Sequence, residues 1–216
     1  MLRDVDMADI SDGNFYSAND MVKIGCNDCK GCSDCCRNMS ETIVLDPYDV
    51  VRLTRYLNQS FESLIGESVA LTIIDGLILP ILHMENDKKQ CVFLDENGRC
   101  SVHEARPGIC RLFPLGRIYK EDGFAYFLQT EECKAKNKTK VKIKKWIGEA
   151  DYAGYEGYVN TWHRFLVKQR QEVGKLTDPE KVKAVCMKLL TEFYIKGYHQ
   201  TEGVFEQIEK RINDWA

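Results

Sequence analysis

Cys26-Asn27-Asp28-Cys29-Lys30-Gly31-Cys32-Ser33-Asp34-Cys35-Cys36 places five of the chain's ten cysteines within eleven residues, stepping by three and then doubling. Thiolates three apart on a turn or short helix project to one side and can close on one ion or cluster. Sulfurs this crowded cannot all pair as unstrained disulfides. The stretch therefore predicts cysteine-ligated metal chemistry. Two ligand sets compete. Cys26, Cys29, Cys32 and Cys36 match the bacterial ferredoxin spacing, although Arg37 stands where that signature has Pro. Alternatively Cys29, Cys32, Cys35 and Cys36 are two pairs that begin a composite site, completed by Cys91, Cys100, Cys110 and Cys133.

Outward from the run, the remaining cysteines set the organisation. Nine of the ten lie between Cys26 and Cys133, and only Cys186 follows. Residues 1–20, with Asp4, Asp6, Asp9 and Asp12, read as a loosely held polar arm. Residues 21–148 read as the cysteine-cluster domain, and residues 149–216 as a helical subdomain. Asp46-Pro47 predicts a helix start carrying Val50, Leu53 and Leu57, and Ser60 starts a second, short helix. Asp75-Gly76 inside the apolar stretch from Val69 to Leu82 predicts a hairpin. Two further hairpins are expected, one running from Cys91 to Cys100 around Asp95-Glu96-Asn97-Gly98, the other from Ile118 to Leu128 around Glu121-Asp122-Gly123.

Past Tyr152 the spacing becomes helical. Tyr155, Tyr158, Trp162, Phe165 and Leu166 share one face, and Asp178-Pro179 opens a helix carrying Val182, Val185, Leu189, Leu190 and Phe193. A last helix from about Glu202 carries Phe205, Ile208, Ile212 and Trp215. Tyr152, Tyr155, Tyr158 and Trp162 thus read as core packing rather than an aromatic box, and Cys186 as a small buried hydrophobe. The expected class is α+β: a small cysteine-rich core with short hairpins and helices, followed by a C-terminal helical cap.

Bulk properties exclude more than they assign. At 216 residues the chain can bury a core without a metal's help. A net charge of −3 lacks the basic excess of a nucleic-acid binder, and no apolar stretch is long enough to span a membrane. The N-terminus lacks the apolar core of a secretory signal, so a reducing cytoplasm is the expected compartment. There is no Walker loop, dinucleotide fingerprint, zinc-protease helix or Gly-rich methyltransferase motif, nor the spacing usual in radical S-adenosylmethionine enzymes.

Cys29, Cys32, Cys35 and Cys36, followed by Cys100-Ser101-Val102-His103-Glu104-Ala105-Arg106-Pro107-Gly108-Ile109-Cys110-Arg111-Leu112-Phe113-Pro114, resemble the cysteine-cluster family described as zinc- or iron-chelating proteins, the YkgJ type. The resemblance spans roughly residues 24–134. It implies that Cys29, Cys32, Cys35, Cys36, Cys91, Cys100, Cys110 and Cys133 are ligands, with Cys26 as an addition to the minimal pattern. Eight thiolates serve two four-sulfur sites, or one cluster and one ion. The family includes flagellin lysine N-methylases, so the resemblance also implies an iron–sulfur cluster, with zinc as the alternative. It extends to S-adenosylmethionine as methyl donor and a protein substrate.

Three other features have both a functional and an ordinary reading. Arg106, Arg111 and Arg117 bracket Cys110 and offset the charge of a bound cluster, tune its potential or hold an anionic substrate, with Arg106 and Arg111 the candidates for contact with the cofactor; otherwise they pair with local acids such as Glu104. His103 is a hydrogen-bonded turn histidine or lies against a cluster sulfur. The seven lysines from Lys134 to Lys145 alternate with Val141 and Ile143 as a strand with one solvated face. The sharper reading of that face is a docking surface for an acidic protein partner.

Overall fold

The computed structural model describes residues 7–26, 32–37, 39, 42–85 and 89–215. In chain order the helices are α1 (Met7–Ile10), α2 (Pro47–Leu57), α3 (Phe61–Leu64), α4 (Gly108–Leu112), α5 (Ile143–Ile147), α6 (Tyr152–Gly174), α7 (Pro179–Leu190) and α8 (Val204–Asn213). The strands are β1 (Met21–Gly25), β2 (Val69–Ile74), β3 (Leu77–Leu82), β4 (Met84–Glu85), β5 (Gln90–Cys91), β6 (Leu115–Lys120), β7 (Gly123–Leu128) and β8 (Thr139–Lys142). They form four separate antiparallel pairs, β1–β8, β2–β3, β4–β5 and β6–β7, so the class is α+β. Among the described residues no helix is long and apolar enough to cross a membrane. Contacts group the chain into two units: Glu41–His83 with Ala153–Ala216, and Leu2–Ser40 with Met84–Tyr152.

The first unit is built on a conventional apolar core. Asp46 accepts the Asp49 N–H at 2.8 Å, and Asp49 accepts the Asp46 N–H at 3.3 Å. This capping box, with Pro47 in the first turn, starts α2 where the sequence placed it. Ser60 likewise caps α3. Asp75 and Gly76 both take positive φ, 50° and 84°, the conformation that turns β2 into β3 in a two-residue hairpin. Along α6, Tyr155, Tyr158, Val159, Trp162, Phe165 and Val173 are all buried. Phe193 is fully buried in a π-turn, Thr191–Ile195, that continues α7. Its ring lies 5.1 Å from Trp162, 5.0 Å from Phe165 and 5.7 Å from Trp215. The Tyr155, Tyr158 and Trp162 spacing is therefore core packing, as the sequence indicated. Burying each such side chain contributes about 1.5–3 kcal/mol. Cys186 belongs to the same core: its sulfur accepts the Ile78 N–H at 3.4 Å and its thiol donates to the Gly76 carbonyl at 3.7 Å, fixing α7 on the hairpin.

The second unit relies on short ladders and backbone ties. Residues expected to form a loose arm are tied down over their described part: the Tyr16 N–H donates to the Tyr126 carbonyl at 2.8 Å and receives the reciprocal bond at 2.9 Å. The β6–β7 hairpin is present but starts at Leu115, three residues before the expected Ile118. The expected Cys91–Cys100 hairpin is not a ladder. Cys91 pairs back to Met84, and a lone bridge joins Leu94 to Cys100. The reason is Asp95, whose carboxylate takes the Asn97 and Arg99 N–H groups at 2.9 and 2.8 Å and winds the segment into a tight turn. The lysine strand is also shorter than its alternation suggests. It ends at Lys142 because the Ile143 and Lys144 N–H groups donate to the Asp20 and Ala18 carbonyls, 3.1 and 2.9 Å, and start α5. At Gly25, opposite Thr139, a Cβ would run into the Thr139 Oγ1 and the Val141 Cγ2, so this close approach favours glycine.

Candidate metal centre

The structure brings the end of the cysteine run to the Cys91–Cys100 turn within the second unit. Cys35 and Cys36 sit on a single 3₁₀ turn, Asp34–Cys36, with their sulfurs 4.0 Å apart. The next residue, Arg37, bridges to Gln90 through its backbone, and its guanidinium donates to the Gln90 Oε1 at 2.9 Å. Gln90 precedes Cys91, so the residue that breaks the ferredoxin signature is the one that fastens the run to the second cysteine segment. Proline, which lacks an N–H and a guanidinium, could not make that junction.

Electrostatics show which sulfurs lie within reach of one another's charge. The Cys35 thiol is pushed far up by its hydrogen bond with Cys36, by burial and by the Cys36 charge, with Arg106 opposing. Burial pushes Cys91 up to about 11, with Cys100 and Cys35 adding to the rise. Burial also raises Cys100, while Arg106 lowers it. Cys35, Cys36, Cys91, Cys100 and Arg106 therefore share one partly buried, sulfur-rich environment. Two backbone donors act there as well: the Phe93 N–H toward Cys91 and the Val102 N–H toward Cys100 both favour the thiolate. A backbone N–H from two residues ahead supports a sulfur that carries negative charge, as a metal-bound thiolate does. Neither amide was readable from the sequence, where Cys91 to Cys100 was expected to be a plain hairpin.

The other predicted ligands have these positions. Cys29 lies outside the described residues. Cys26 directly follows β1, Cys32 precedes the 3₁₀ turn, Cys110 sits in α4 and Cys133 follows β7; all four are half-buried. The Lys138 Nζ donates to the Cys133 carbonyl at 2.5 Å. No disulfide joins any two of the nine described cysteines. Among the described residues no three His, Cys, Asp or Glu side chains converge closely enough to hold a metal ion. The donor chemistry nonetheless suits a sulfur-ligated ion or cluster: two adjacent thiols, two more across a tight turn, supporting amides and a neighbouring cation.

The two arginines separate. Arg106 donates through Nε to the His103 carbonyl at 3.0 Å, which holds its charge near Cys35 and Cys100. Arg111 is buried in an ion pair with Glu149, both side chains under a tenth exposed. It also donates to the Arg106 carbonyl at 3.1 Å and the Ile147 carbonyl at 3.4 Å. Its role here is to lock α4 against α5, beside the Trp146 Nε1 bond to the Phe113 carbonyl at 3.0 Å. Its acid is Glu149, a pairing across 38 residues that no local pattern announces. His103 opens a 3₁₀ turn, His103–Ala105, and its N–H donates to the Cys100 carbonyl at 3.2 Å.

A family model described as "CxxCxxCC: Putative zinc- or iron-chelating domain" matches residues 28–140, just over half of the chain. No curated protein and no solved structure gives a significant match.

Proposed function

Because the chain belongs to the CxxCxxCC family of zinc- or iron-chelating domains, we propose that its second unit holds an iron–sulfur cluster through cysteines drawn from Cys26, Cys29, Cys32, Cys35, Cys36, Cys91, Cys100, Cys110 and Cys133. The observation that carries this reading is the shared environment of Cys35, Cys36, Cys91 and Cys100 beside Arg106. Adjacent thiols such as Cys35 and Cys36 suit a multi-iron assembly, which presents several ligand positions, better than one small ion. A bound cluster supplies a redox-active, Lewis-acidic centre. The chain's own part is to hold the thiolates, to direct the Phe93 and Val102 amides at two of them, and to offset negative charge with Arg106.

The resemblance to flagellin lysine N-methylases extends this proposal to methyl transfer from S-adenosylmethionine to a lysine amine on a protein. The second reading is a zinc-ligated structural or protein-interaction module without catalytic activity. The amides directed at Cys91 and Cys100 favour it equally, since they support thiolates around zinc as well as iron.

Anaerobic purification followed by metal, sulfide and visible-spectrum analysis separates the readings. Stoichiometric iron and sulfide with sulfur-to-iron charge-transfer absorption is the expected result; a colourless protein with stoichiometric zinc establishes the second reading. Cys35→Ser and Cys110→Ser should each lower metal content and soluble yield, whereas Cys186→Ser should leave metal content unchanged. Incubating the iron-loaded protein with methyl-labelled S-adenosylmethionine and a lysine-rich protein should label lysine; absence of label removes the methylase extension alone.

A further inference from the structure

The register of β1 against β8 places cationic side chains together on one face. Met21 pairs with Lys142, Val22 with Val141, and Lys23 with Lys140. Side chains alternate along a strand, so Met21, Lys23, Lys140 and Lys142 share one face and Val22, which is buried, lies on the other. Lys23 thus stands directly opposite Lys140, an arrangement that opposes folding, because like charges in cross-strand positions repel. None of Lys23, Lys140 and Lys142 forms an ion pair or side-chain hydrogen bond with a described residue. The nearest acid in sequence, Asp20, is occupied by the Ser17 N–H at 2.6 Å. Met21, in the middle of this charge, is about half exposed.

We infer that this face docks an extended acidic protein segment. Strand rise puts Lys140 and Lys142 roughly 6.6 Å apart, the spacing of carboxylates on alternate residues of a second extended chain, and Met21 offers contact for one apolar side chain among them. Nucleic acid fits less well. The face carries lysine alone, without the arginine forks or aromatic platforms that grip phosphates and bases. The inference does not depend on which metal the cysteines hold.

The test uses the full metal-loaded chain and a short fluorescein-labelled peptide alternating Glu with Thr and carrying one Leu. Anisotropy should show saturable binding that weakens as salt rises. The double reversal Lys23→Glu with Lys140→Glu should weaken binding about tenfold. Reversal of two exposed lysines elsewhere, Lys181→Glu with Lys183→Glu, should leave it unchanged. Equal losses in both variants, no saturable binding, or a labelled single-stranded DNA that binds as tightly and loses binding to the same Lys23 and Lys140 reversal would each overturn the proposal. If the reversal lowers metal content or ellipticity, Lys23→Gln with Lys140→Gln decides instead, with roughly threefold weakening expected.

Discussion

The two units solve the problem of stability by different means. The first, Glu41–His83 with Ala153–Ala216, buries a continuous set of aliphatic and aromatic side chains, among them Leu45, Leu53, Leu79, Tyr155, Phe193 and Ile208. The second, Leu2–Ser40 with Met84–Tyr152, has roughly half as many buried apolar residues among those described, and spends its interior on half-buried cysteines and the Arg111–Glu149 pair. A chain of this length does not need a metal to fold as a whole. The contrast makes the second unit the one whose stability a bound metal would raise most.

Metal removal tests the contrast most severely. Chelation under reducing conditions should speed amide exchange across residues 84–152 by orders of magnitude, because structural metal–thiolate sites contribute on the order of 10 kcal/mol. Residues 153–215 should keep their protection. Equal acceleration in both units would abolish the distinction.

The reverse perturbation comes next in size. Phe193→Ala removes a fully buried ring in contact with Trp162, Phe165 and Trp215 and should cost about 3–5 kcal/mol in urea unfolding of the first unit. Metal per mole of soluble protein should stay at the wild-type value. If it falls in step with stability, the units are not separable.

The smallest effect sharpens the comparison through pH. His163, on α6, has its imidazole pKa lowered by burial and then by the Arg170 charge. A folded-state value below the unfolded one means that the unfolded chain takes up the proton first. This contribution to stability is complete above the unfolded pKa of about 6.5 and is lost as pH falls through that value toward the folded one. Between pH 7.5 and 5.5 the first unit should weaken slightly more in wild type than in His163→Gln, measured by urea midpoints. An identical pH slope in the two proteins would show that His163 contributes nothing.

Local chemistry made much of the first unit legible. Asp46-Pro47, Ser60, Asp75-Gly76 and Asp178-Pro179 are start or turn signals whose partners lie within a few residues, and each operates as its chemistry dictates. The second unit was legible in its residue types but not in its joints. The cysteine spacing announced a metal family, yet Arg37 to Gln90, Arg111 to Glu149 and Ile143 to Asp20 link positions far apart in sequence. Such contacts leave no periodicity to read. Alternation in the lysine strand misled for the same reason, because a distant carbonyl ended it one residue before Ile143.

The close approach at Gly25 has a consequence for how a metal arrives. For a flexible chain, bringing together residues roughly 110 positions apart costs on the order of 4 kcal/mol in loop-closure entropy. The Gly25–Thr139 register already holds those ends together, with Cys26 one residue beyond Gly25 and Cys133 drawn back toward Lys138. The β1–β8 ladder and any metal–thiolate bonds that form beside it therefore close one and the same long loop, so each lowers the entropic cost that the other faces.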